Sequence, residues 1–81
     1  MTDRFIVISP LRVTDDGDEH SFKDGARVAI RCNDILTFGD TISCSNRTVI
    51  IVRDVGNRQG FVRYEIKEDF DRLLEAVSKE D

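Results

Sequence analysis

The sequence predicts an α+β domain: a small antiparallel sheet of four to five strands with one C-terminal helix packed on one face. Three observations predict it. Short β-branched or alternating runs recur at 4–9, 26–32, 48–53 and 61–66. Glycine, asparagine and aspartate separate them. A single apolar repeat of helical period closes the chain at 68–79. With 81 residues there is room for one core, so residues 1–81 are read as a single domain.

Arg4 to Ser9 is a β-branched run, read as a strand buried on both faces and closed by Pro10. Leu11 and Val13 alternate with Arg12 and extend it after a bend. Thr14 to Glu19 is a loop by composition. Its acids lack the alternating ligands and distal glutamate of a calcium loop. Asp24-Gly25 precedes the alternating run Ala26 to Cys32, which marks a hairpin turn with positive φ at both central residues. Val28, Ile30 and Cys32 share one face; Arg27, Ala29 and Arg31 share the other. Asn33-Asp34 breaks that alternation. Ile35, Leu36 and Phe38 follow, and Gly39-Asp40 is read as a turn. Thr41 to Cys44 is a short extended piece, with a turn at 45–47.

Thr48 to Arg53 is apolar on both faces and is placed centrally. Phe61 to Ile66 alternates, with Val62, Tyr64 and Ile66 inward and Phe61, Arg63 and Glu65 outward. These two strands form the second hairpin. In the helix, Phe70, Leu73, Leu74 and Val77 fall on one stripe, with Asp69 as N-cap. On this reading Leu74→Ala should cost about 2–5 kcal/mol.

Charge and composition exclude several functions. No run of apolar residues is long enough for a membrane helix. The N-terminal Met-Thr-Asp-Arg-Phe is unlike a secretory leader. Two cysteines, Cys32 and Cys44, are too few for a disulfide scaffold, so we expect free thiols and a reducing cytoplasm. One histidine, His20, and no His-Cys cluster leave no structural zinc set and no nucleophile-base pair. No phosphate loop is present either, so neither catalysis nor a cofactor is expected. The fold should therefore withstand chelator and reductant.

The net charge is −4, which opposes a duplex nucleic-acid face. The balance is uneven, however. Residues 27–63 hold six arginines against three aspartates and no lysine. Arginine's planar fork suits carboxylates and phosphates. We therefore single out Arg53, Asn57, Arg58 and Arg63 as partner-binding. The loop 55–60 joins the two best strands, and its tip is expected to be free. Its arginine Arg58, with Arg53, would then meet a partner.

One order of signals stands out. Asp24-Gly25 is followed by Ile30, Asn33-Asp34-Ile35 and Phe38. The Val-Ile strand at 49–52 and a further strand come next, and Lys67-Glu68-Asp69-Phe70 leads into a leucine-bearing helix. This resembles the small flagellar FlbD-like family, which is also scattered through phage genomes, over residues 22–77. The chain departs from the family in its N-terminal strand and acidic loop, in a longer loop at 54–61, and in Asp69 where serine is usual. The resemblance implies a flagellar accessory protein of a bacterium or its phage, not an enzyme. The expected function is a non-catalytic protein-binding or regulatory adaptor, with another protein as partner or a homodimer through edge strands. The alternative is single-stranded nucleic acid or a small phosphate ligand on the arginine-bearing face, with Phe61, Arg63 and Tyr64 as a stacking platform. Against it, Tyr64 and Arg63 should point to opposite faces.

Overall fold

The run at 48–53 and the alternating run at 61–66 pair with each other over their full length. In the computed structural model, which describes residues 4–40 and 47–78, the strands are β1 (Phe5–Ile8), β2 (Pro10–Asp15), β3 (Asp18–Ser21), β4 (Val28–Arg31), β5 (Ile35–Asp40), β6 (Thr48–Arg53) and β7 (Phe61–Ile66). They are followed by one helix, α1 (Phe70–Ser78). Five strands form an antiparallel sheet in the order β3-β2-β7-β6-β5, and β1 with β4 forms a two-stranded ribbon. β6 is an interior strand, but β7 is the central one.

One cluster unites these layers. Ile50, Val52, Val62 and Ile66 come from the large sheet, Ile6, Ile8 and Ile30 from the ribbon, and Leu73 from the helix. Ile8, Ile50 and Ile66 are fully buried. Ribbon and helix thus cover one face of the large sheet, the inner face. The Phe38 and Phe70 rings, 5.4 Å apart, seat α1 beside β5. Inward and outward residues on β4 and β7 follow the alternation expected of them.

Several expectations are corrected. The first strand is not buried on both faces: Phe5 and Val7 remain more than half exposed, because the ribbon packs through one face only. Pro10 does not end the strand but opens β2, a position where its missing N–H does least harm. The bend between β1 and β2 is held at Ser9. Its N–H donates to both Glu68 carboxylate oxygens at 2.9 and 3.1 Å, and its carbonyl accepts from Lys67 N–H at 3.0 Å.

The tight hairpin forms at Asp16-Gly17, not at Asp24-Gly25. Asp16 and Gly17 have φ of 51° and 86°, as a two-residue type I′ turn requires. Thr14 to Glu19, read as a loop, is therefore the end of β2, the turn and the start of β3. At Asp24-Gly25 only the glycine has positive φ, and Ala26 N–H donates to the Lys23 carbonyl at 3.2 Å. That turn carries the chain from the large sheet to the ribbon. Gly39-Asp40 does not turn; both residues lie in β5. Cys32–Asp34 is a single 3-10 turn, where the alternation was expected to break. The extended piece expected at 41–44, with Cys44, lies outside the described residues, and so does nearly all of the 45–47 turn. Cys32 is a half-buried free thiol.

The helix begins at Phe70 rather than at residue 68, and Leu74 leaves its stripe. Leu73 is 2% exposed while Leu74 is 44% exposed. The packed stripe is Phe70, Leu73, Ala76 and Val77. Asp69 is the N-cap: its carboxylate accepts from Arg72 N–H at 2.8 Å. Asp69→Ala should lower stability by about 1 kcal/mol, and Asp69→Asn by far less, because asparagine caps equally well. Urea denaturation of both variants checks this.

Candidate functional site

Burial of the inner face leaves the outer face of the large sheet uncovered by any described element. Register places its residues. Arg63 on β7 lies between Thr14 of β2 and Ile51 of β6, Phe61 lies opposite Arg53, and Glu65 lies opposite Val49 and Arg12. Arg53 and Arg63 are therefore diagonal neighbours on one face, on adjacent strands. Both are exposed.

The charges on this face are not all matched. Arg12 pairs with Glu19 at 3.7 Å and Arg47 with Glu65 at 3.1 Å. Among the described residues, Arg53 and Arg63 have no ion-pair partner. Beside Arg63 the sheet carries a hollow of about 290 Å³, open to solvent and lined chiefly by Thr37, Gly39, Val49 and Ile51, with Asp40 at one end. Gly39 stands opposite Val49, and Thr37 opposite Ile51. The hollow exists because Gly39 contributes no side chain to the row. It borders β5, the edge strand of the sheet.

The other two residues singled out from the sequence lie elsewhere. The loop after β6 is not free at its tip; it folds back on the β2–β3 turn. Asn57 is 8% exposed. Its Nδ2 donates to Asp15 Oδ1, and its Oδ1 accepts from Gln59 N–H at 2.8 Å. Arg58 N–H donates to the Asp16 carboxylate at 3.1 Å, and Gly56 N–H to Asp54 Oδ1 at 3.0 Å. Asn57 therefore positions the loop, and only the side chain of Arg58 remains exposed.

The aromatic groups divide between faces, as the alternation requires. Tyr64 is opposite Val13 on the inner side, with its ring 6.3 Å from that of Phe22. Burial pushes its phenol pKa up, and the charges of Asp54 and Asp15 add to the rise. Phe61 shares the outer face with Arg53 and Arg63, so the three-residue stacking platform does not assemble. Lys67 Nζ meets Asp24 Oδ1 at 2.9 Å and holds that carboxyl below its ordinary range.

Sequence reasoning missed Gly39 and Ile51 as site residues. By composition alone Gly39-Asp40 reads as a turn. The signal that could have found it is the alternation of Phe38 and Asp40 against Thr37 and Gly39.

Among the described residues no group of three or more His, Cys, Asp or Glu could hold a metal ion. No described helix is long and apolar enough to cross a membrane. Compared with protein-family models, with curated proteins and with solved structures, the chain matches none. The geometry therefore defines a small α+β chain with an arginine-bearing sheet face that no described element covers.

Proposed function

We propose that this chain is a small non-catalytic adaptor that binds another protein through the outer face of its five-stranded sheet, in a reducing cytoplasm. The observation that carries the reading is the pair Arg53 and Arg63, exposed on one face, without ion-pair partners among the described residues, beside an apolar hollow. An apolar depression flanked by unmatched positive charge suits an acidic protein surface. Arg58 extends the positive margin at the end of β6, and Asn57 acts as a positioning residue for that loop. The FlbD-like resemblance adds a flagellar accessory setting to the same proposal.

The alternative is a single-stranded nucleic acid or a small phosphate ligand. Phe61 beside two arginines favours it. Tyr64 on the inner face and a net charge of −4 oppose it. Self-association through the edge strands is a third outcome.

The experiment is affinity capture from an extract of the source organism with wild type and Arg53→Glu/Arg63→Glu, followed by binding measurements on the purified captured protein. The expected result is a protein whose affinity falls at least tenfold, about 1.4 kcal/mol, in the double variant. Equal affinity would overturn the reading. Salt-sensitive binding of a fluorescent oligo-dT by wild type, with no protein captured differentially, would assign the face to nucleic acid.

A further inference from the structure

Resting on that reading of the outer face, we infer that its partner enters as an extended acidic segment that adds a strand beside β5 and places a bulky apolar side chain in the hollow at Gly39.

The argument starts from Gly39 itself. Gly17, Gly25 and Gly60 have φ of 82–86°, so backbone geometry accounts for them. Gly39 is not in that region, and a Cβ built on it meets nothing within 4 Å among the described residues. Neither conformation nor packing among the described residues calls for glycine there. A glycine inside a strand is destabilising, and one recurring reason for it is close approach by a ligand or another backbone. The missing side chain opens the hollow beside Val49 and Ile51.

The edge supports an added strand. β5 is the terminal strand of the sheet, so its outer backbone groups have no strand partner among the described residues. Its register shifts between Ile35 and Thr37, and Leu36 at the irregularity is 48% exposed. Regular pairing is therefore offered by Thr37 to Asp40 only, which selects a short segment. In strand addition, backbone bonds supply affinity and alternate side chains supply specificity. A residue next to Gly39 on the outer face would lie over the hollow. A residue two positions along would lie beside Thr37, in the row that continues through Ile51 to Arg63. That position is three strands, roughly 14 Å, from Arg63; because Arg63 itself lines the hollow, a glutamate there can reach toward its unmatched guanidinium.

A second copy of this chain fits poorly. Its other large-sheet edge, β3, reads Asp-Glu-His-Ser and offers no apolar residue for the hollow. Pairing β5 with β5 would set one glycine-bearing edge against another and offer no bulky outer-face side chain for the hollow, because the outer residues of β5 are Thr37 and Gly39. The charge and the hollow thus favour a different protein, with an apolar and an acidic residue at alternate positions.

The test pans a displayed library of random nine-residue peptides on the full chain, then measures binding of the synthetic enriched peptides. Peptides with a Leu, Ile or Phe two residues from an Asp or Glu are expected. Gly39→Val should weaken them at least tenfold, and Arg63→Glu comparably, with melting temperatures near wild type. Gly39→Ala should give an intermediate loss, and N-methylation of alternate peptide amides should abolish binding. No enrichment, or undiminished binding to Gly39→Val, overturns the inference. So does a concentration-dependent dimer that Gly39→Val abolishes. If the captured protein loses affinity for Arg53→Glu/Arg63→Glu but not for Gly39→Val, the strand addition fails while the binding face stands.

Discussion

Leu73→Ala is expected to lower the free energy of unfolding by about 2–5 kcal/mol, and Leu74→Ala by less than about 1 kcal/mol. The two residues are adjacent and chemically identical, so helix propensity cancels from the comparison. Leu73 belongs to the cluster formed by both sheets, whereas Leu74 is nearly half exposed. Truncating Leu73 opens a cavity between α1 and the inner face, and a nine-residue helix has little intrinsic stability with which to compensate. Chemical denaturation of the pair checks it. Equal losses would mean that the helix docks through a different stripe.

Asn57→Ala should destabilise by about 1–3 kcal/mol, since it leaves Gln59 N–H and the Asp15 carboxylate without a side chain that both use. Arg58→Ala should change stability by no more than about 0.5 kcal/mol, because its backbone bond to Asp16 survives. The contrast separates a residue that shapes the loop from one that only decorates it. Thermal melts of both variants suffice.

What was legible in the sequence follows burial. β6 reads from an unbroken apolar run and β7 from its alternation, and the two pair over their full length. β3 was missed because all four of its residues are exposed. An edge strand can be held by backbone hydrogen bonds alone, and then leaves no hydrophobic pattern. Two Asp-Gly pairs occur, and either could form the tight turn; which one does depends on the pairing of that silent strand. Leu74 misled because a short helix buries a narrower stripe than its sequence offers. Of the candidate residues, Arg53 and Arg63 could be placed on one face by alternation. The buried contacts of Asn57 could not, since they join residues 42 apart in the chain.

The central claim is that the outer face of the large sheet is the surface that meets a partner. Amide hydrogen exchange of the chain, with and without the captured protein, tests it most directly. The account predicts added protection at 37–40, 49–53 and 61–65, with the ribbon at 5–8 and 28–31 unchanged. Protection confined to the ribbon or to the exposed side of α1, with the sheet unaffected, would contradict it.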